Sequence, residues 1–186
     1  MIGVPSGWRR AAAVAGLSAT LLSGCAVAPR AVDAGGQDLL SGRLSVRVDA
    51  APGSEAHSVS AGFELAGDAR SGRLDLTSPL GSVLAQARWA PDRVVLRTPK
   101  GETDFADLDS LTREALGESV PVAALFDWLR GRPWPGASSS PTTPPAEPGF
   151  HQLGWTVSLA RFGEAWVDAR RERAPAVTVR ARLDRP

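Results

Sequence analysis

The sequence predicts a mainly β domain of the α+β class, a strongly curved antiparallel sheet with two helices laid over its concave apolar face. Three observations carry that prediction. Short runs of period-two hydrophobic alternation recur along most of the chain, turn-forming residues separate them, and two stretches with helical spacing interrupt the series in the middle. Alternation puts one side of each strand in a core and the other in water. Helices inserted into such a series bury their apolar stripes most simply on the apolar face of the sheet.

The chain opens on a different pattern. Arg9 and Arg10 form a short positive region, and Ala11–Leu22 an apolar run. The run is too short to cross a bilayer as a permanent helix, which takes about 20 apolar residues. It fits the apolar region of a secretory signal, so residues 1–24 are expected to be a signal peptide removed on export. Leu22-Ser23-Gly24-Cys25 looks like a bacterial lipobox, in which cleavage falls just before the cysteine. The thiol then carries diacylglycerol and the new amino group is acylated, palmitate being an expected chain. Several acyl chains meet the requirement of stable anchoring for more than one. The competing reading is an ordinary signal peptide with an incidental cysteine. Cys25 is the only cysteine, so no internal disulfide is expected despite an oxidising compartment. The next residue is Ala26 rather than aspartate, which by resemblance to other lipoproteins implies sorting to the outer membrane. Residues 25–38 are small and aperiodic and read as a lipidated N-terminus and flexible tether.

Residues 39–186 are one domain's worth of chain. Loss of Arg9 and Arg10 with the signal takes the 21 basic side chains to 19, against 20 acidic ones. That balance argues against a nucleic-acid partner, whose footprint is a basic excess. The period-two runs begin with Leu44, Val46 and Val48, and continue with Val59, Ala61, Phe63 and Leu65, then Leu74 and Leu76. Val83, Ala85, Ala87 and Trp89 follow, then Val94 and Leu96, with turn residues between the runs. The beat resumes in "GWTVSLARF", "EAWVDARR" and "AVTVRARLD".

Between these series, "ADLDSLTREALG" places Leu108, Leu111 and Ala115 at helical spacing, with Asp107 as N-cap and Gly117 as the stop. A second helix is predicted in "PVAALFDWLRG", opened by Pro121 and closed by Gly131, with Val122, Leu125, Trp128 and Leu129 along one stripe. The next stretch, 132–149, is rich in Pro, Ser, Thr and Gly and reads as a mobile surface loop.

Little in the chain points to chemistry. His57 and His151 lie in or beside polar, turn-like stretches and have no metal-ligand spacing. There is no nucleophile elbow, phosphate loop or His/Cys cluster. Asp107 and Asp109 are explained by the positive end of a helix dipole. The arginines of "DARRERAP" read as solvated on a strand's wet face. No catalytic residue, metal ligand, cofactor or enzymatic activity is expected. One feature remains. Ser78-Pro79-Leu80-Gly81 fits a type I turn, with Pro79 fixing φ at the second position. It leaves Leu80 at a turn tip, either folded back on a neighbour or exposed for a purpose.

The ordered series "TSPLGS" (77–82), "TPKGETDFAD" (98–107) and "PVAALFDWLRGRP" (121–133) resembles the LolB family of outer-membrane lipoprotein receptors. With the lipobox and the closing "VTVRARLD", the likeness covers nearly the whole mature chain. Its most specific piece is the spacing of Pro121, Leu125, Trp128, Gly131 and Pro133. The chain departs from the family pattern in the Pro/Ser-rich stretch between Pro133 and Phe150, and in ending "LDRP" where an aromatic residue is expected.

The resemblance implies an unclosed β-barrel with the helices as a lid and an apolar interior that accepts acyl chains. It implies a monomer that takes lipidated lipoproteins from the periplasmic carrier LolA and inserts them into the inner leaflet of the outer membrane without nucleotide. The leucine of the family's Pro-Leu-Gly loop, needed for insertion, maps onto Leu80. Phe63, Trp89, Leu125, Trp128 and Leu129 are the candidates for the acyl-chain pocket, and each reads equally well as plain core. The alternative from another class is a structural or interaction lipoprotein with no lipid-binding cavity.

Overall fold

The structure, a computed structural model, describes residues 39–53 and 55–184. The expected signal peptide 1–24, the lipidated Cys25 and the tether 25–38 lie outside the described residues. Among the described residues, six strands come first: β1 (Leu40–Val48), β2 (His57–Gly67), β3 (Gly72–Thr77), β4 (Val83–Ala90), β5 (Arg93–Thr98) and β6 (Gly101–Phe105). Two helices follow, α1 (Leu108–Leu116) and α2 (Val122–Trp128). The chain then forms β7 (Ser139–Pro141), β8 (Gly149–Gln152), β9 (Trp155–Ser158), a 3-10 turn at Phe162–Glu164, β10 (Trp166–Arg171) and β11 (Val177–Leu183).

All the strands join one antiparallel sheet in the order β6-β5-β4-β3-β2-β1-β11-β10-β9-β8-β7. It is two meanders fused where the first strand meets the last. Leu44, Val46 and Val48 stand opposite Ala181, Val179 and Val177 across that seam, and opposite Ala61, Val59 and His57 on the other side. The seam needs close approach, because a Cβ on Gly42 would run into the carbonyl oxygen of Arg182. The two end strands, β6 and β7, have one neighbour each, so the sheet is unclosed.

Its curvature follows from the aromatic contacts of α2. Trp89 on β4 meets Phe126 edge-on at 5.8 Å between ring centroids, and Trp128 meets Trp155 on β9 at 6.0 Å. In the sheet order β4 and β9 are six strand spacings apart, roughly 29 Å in a flat sheet. Two side chains at neighbouring positions of one helix cannot bridge that span. The sheet therefore curls round α2, as an open barrel does, and Leu111 of α1 and the apolar residues of α2 share one core with both meanders.

The local chemistry of the helices matches expectation in outline. Asp107 caps α1 by accepting the Ser110 N–H at 2.7 Å while Ser110 Oγ accepts the Asp107 N–H at 3.2 Å. Gly117 ends the helix in the left-handed region at φ 77°. Leu111 is buried and Leu108 half-buried, whereas Ala115 is exposed and half-buried Leu116 takes its place in the last turn. Helix α2 differs more. Val122, Trp128 and Leu129 are buried as expected and Leu125 is half-buried, but Ala124 and Phe126 are buried as well. A one-stripe expectation assumes a helix on a surface, while this one lies inside the curl.

Three strands escape the alternation pattern. Strand β6, "GETDF", is exposed at four of its five positions, so it has no buried face to mark it. It is held by pairing with β5 and by ion pairs such as Arg93–Asp104 at 2.8 Å and Arg97–Glu102 at 2.7 Å. The mobile surface loop expected over 132–149 is corrected by the structure, which places the edge strand β7 and the start of β8 there. Trp134 also packs against the core. The segment looks like a loop in sequence because β7 is exposed throughout and one side-chain amide, that of Gln152, holds the chain before it.

Candidate functional site

The five residues expected to line an acyl pocket come from three places in the chain and converge in one interior. Phe63 points in from β2 and Trp89 from β4, and Leu125, Trp128 and Leu129 belong to α2 and its C-cap. Phe63, Trp89, Trp128 and Leu129 are buried, Trp128 completely. Both indoles satisfy their N–H groups, as buried tryptophans must. Trp89 Nε1 donates to the carbonyl of Asp68 at 3.0 Å, and Trp128 Nε1 to Oε1 of Gln152 at 2.7 Å. Asp68 sits in the β2–β3 turn, where the N–H groups of Ser71 and Arg70 hold its carboxyl below the ordinary range.

Gln152 was not singled out in sequence, yet it organises this interior. It is 3% exposed and uses its whole hydrogen-bonding capacity. Oε1 also accepts the Trp134 N–H at 2.9 Å, and Nε2 donates to the carbonyls of Trp134 at 2.7 Å and Ala137 at 2.8 Å. One side chain on β8 thus holds the helix and the Pro-rich stretch that follows it. The signal in sequence is faint: a Gln in the inward position of "FHQLGW", two residues after Phe150.

The second feature is the β3–β4 hairpin. The Gly81 N–H donates to the carbonyl of Ser78 at 2.9 Å, closing the expected β-turn. Ser82 reinforces it, giving its N–H to Ser78 Oγ at 3.1 Å and accepting the Ser78 N–H at 2.8 Å. Gly81 adopts φ 81°, the left-handed region that favours glycine. Leu80 does not fold back on a neighbour; it is 94% exposed. Val83 and Leu84, just beyond the turn, are 43% and 39% exposed. Alternation assigned Val83 to the inner face, and a bulge overturns this. Thr77 pairs with Val83 but Leu76 with Ala85, so Leu84 is an extra residue and the inward beat starts only at Ala85.

The remaining candidates are structural. His57 and His151 are exposed, His151 Nδ1 lying 3.0 Å from Thr156 Oγ1. Among the described residues no group of three His, Cys, Asp or Glu side chains is placed to hold a metal. Hydrogen bonds from the Ser110 N–H and hydroxyl hold Asp107 below the ordinary carboxylate range, which suits a cap. Arg171 needs correction. Expected on the wet face, it is buried, with Nη2 2.6 Å from Glu118 Oε2 and its guanidinium over the Trp155 ring. It faces inward because it continues the Val167, Ala169 beat of β10.

Residues 39–179 match the family model described as outer membrane lipoprotein LolB. The chain is 36% identical over 148 residues to the outer-membrane lipoprotein LolB of Bordetella pertussis (strain Tohama I), covering 76% of this chain and 74% of that one. It is 38% identical over 164 residues to the LolB of Bordetella petrii, covering 84% and 81%. To the LolB of Ralstonia nicotianae it is 34% identical, covering 94% and 87%.

Proposed function

This chain belongs to the LolB family of outer-membrane lipoproteins, and on that premise we propose that it receives lipoproteins from a LolA-type periplasmic carrier and inserts them into the outer membrane. The chain is an outer-membrane lipoprotein of lipoprotein localisation, not a member of a known enzyme family. In our reading the acyl chains on Cys25 hold it on the periplasmic face. Cargo acyl chains enter between α2 and the sheet, against Phe63, Trp89, Leu125, Trp128 and Leu129, with the two helices as the lid. Leu80 then enters the lipid surface as cargo leaves.

Magnitudes support such an exchange. These side chains pack on one another, so cargo must part α2 from the sheet. Parting costs the specific aromatic contacts, about 0.5–1.5 kcal/mol each, and the Trp128–Gln152 hydrogen bond, about 1 kcal/mol. Relative to water, one acyl chain of sixteen carbons gains about 12 kcal/mol at about 0.8 kcal/mol per buried methylene, much of which the carrier's cavity supplies before transfer. The cavity is thus made by its occupant. No nucleotide enters the scheme; direction comes from rising affinity between carrier, receptor and bilayer.

The observation that carries the reading is Leu80, held 94% exposed on a turn whose own hydrogen bonds fix it outward. A large aliphatic side chain so placed gains roughly 1.5–3 kcal/mol by entering lipid. The test offers the domain, made without its anchor, a carrier-bound lipoprotein and follows cargo first onto the domain and then into liposomes. Transfer and insertion are expected, and absence of any transfer overturns the reading. It would favour the second reading, an interaction lipoprotein whose interior belongs to its own side chains, which the complete burial of Trp128 favours.

A further inference from the structure

The register of the sheet places six residues in one row across its outer face. Trp166 stands opposite Arg182, Arg182 opposite Arg43, Arg43 opposite Gly62, Gly62 opposite Thr77, and Thr77 opposite Val83. One end of the row is thus the apolar hairpin with Leu80, Val83 and Leu84 exposed. The other is a pair of arginines beside a tryptophan. Three strand spacings, roughly 14 Å, separate Val83 from Arg43.

The arginine pair differs from the other cations nearby. Arg47 is bound to Asp49, Arg170 to Glu172, and Arg161 and Arg180 both to Asp168. Among the described residues neither Arg43 nor Arg182 joins an ion pair; Arg182 lies 5.9 Å over the Trp166 ring. Like charges directly opposite each other on adjacent strands destabilise a sheet, and a shared anion cancels that repulsion. Two guanidinium forks match the oxygens of a phosphate. There is room for one. Gly62 puts no side chain beside Arg43, and a groove of about 490 Å³ runs from Arg43, Arg180 and Trp166 to Ser78, Pro79 and Gly81 of the turn, while Arg182 is not in its lining but stands opposite Arg43 on the next strand. The groove also holds the Asp184 carboxylate, which accepts from Ser41 Oγ at 3.2 Å and lies at its edge with the end of the described chain.

We propose that Arg43 and Arg182 seat the phosphate of an anionic lipid headgroup, so that this face docks on the membrane surface when the hairpin enters it. The occupant is a lipid surface because the cationic pair and the apolar tip are one continuous feature, and only a bilayer offers phosphate and hydrocarbon side by side. Trp166, half-buried beside the pair, is a residue type suited to that interface. The assignment rests on the insertion role proposed for Leu80, and its test separates the two.

The mature chain from residue 25 onward, carrying Cys25→Ala so that neither the acyl anchor nor the apolar signal segment dominates, is sedimented with vesicles of phosphatidylcholine alone or mixed equally with phosphatidylglycerol. Tighter binding to the mixed vesicles is expected. Arg43→Gln with Arg182→Gln should lose roughly 30-fold on them, from about 1 kcal/mol for each basic residue near an anionic surface. Arg88→Gln with Arg113→Gln, an equal loss of charge elsewhere, should change binding less than about 3-fold on the same scale. Equal melting temperatures check that every variant folds. Wild-type binding by the Arg43/Arg182 variant overturns the inference, as does an equal loss in the control pair. Competition by inorganic phosphate at matched ionic strength, strong enough to release the vesicles, overturns the lipid assignment in favour of a free-anion site. Leu80→Glu should weaken binding to both vesicle types. If it does not, while the arginine pair still matters, the headgroup site stands and the insertion reading falls.

Discussion

The indole N–H of Trp128 donates to the side-chain oxygen of Gln152 across 2.7 Å, and this buried bond joins α2 to β8. It sits where the sheet's curl closes on the helix, and the other three bonds of the same amide hold Trp134 and Ala137. The amide of Gln152 is therefore a polar centre within a largely apolar interior, and the point at which α2 would separate from the second meander.

Gln152→Leu keeps the volume and removes every one of these bonds. The N–H of Trp128 is left unpaired in a buried site, and the backbone groups of Trp134 and Ala137 in half-buried ones. A loss of about 3 kcal/mol is expected, seen as a lower urea midpoint with an unchanged m-value. An unchanged midpoint would show that water replaces the amide freely.

Arg171 and Glu118 form a second, partly buried polar contact, 2.6 Å apart with side chains 8% and 21% exposed. Removing one member leaves a charge stranded, so Arg171→Leu is expected to cost about 3 kcal/mol. The double variant with Glu118→Ala should cost less than the sum of the two single ones, which a double-mutant cycle in urea measures. Strict additivity would mean that the pair does not interact.

Stability should respond to acid through Asp107. Its folded value lies below the ordinary 3.8 because the Ser110 N–H and hydroxyl favour the carboxylate. A depressed value contributes stability above the unfolded pKa, and that contribution is lost as pH falls through the folded one. The gap in urea midpoint between wild type and Asp107→Ala should be constant near neutrality and shrink in acid below 3.8. A gap that widens in acid would refute the cap as the cause.

Leu80→Glu should leave stability within about 0.5 kcal/mol of wild type, as expected for an exposed site, because the Leu80 side chain supports nothing in the fold. The variant should still accept cargo from the carrier and fail to release it into liposomes. Normal insertion by this variant would reduce Leu80 to a turn residue.

Much of this architecture was legible in the chain. Strands β1, β2, β4, β5 and β9–β11 announced themselves by alternation between an inward and an outward face, and β3 by Leu74 and Leu76, although all six of its positions are half-buried. Asp107 and Gly117 marked the ends of α1 by cap chemistry that depends only on near neighbours. Strands β6 and β7 were not legible, since a strand exposed on both faces carries no alternation. Strand β8 was obscured by its short length and by the prolines before it. Val83 was misplaced because a bulge is a property of two strands in register, and Arg171 because a basic residue at an inward position reads as polar until Glu118 is found beside it.

By itself, then, the sequence determined the antiparallel class, most of the strands, the cap of α1, the turn that presents Leu80 and the likeness to a lipoprotein receptor. All rest on patterns within a few residues of each other. Only the tertiary structure decided that β1 pairs with β11, that the sheet curls round α2, that Gln152 holds the interior together, and that Arg43 and Arg182 stand side by side in a row ending at the hairpin. Those relationships join residues far apart in the chain, through packing and strand register that leave no local trace.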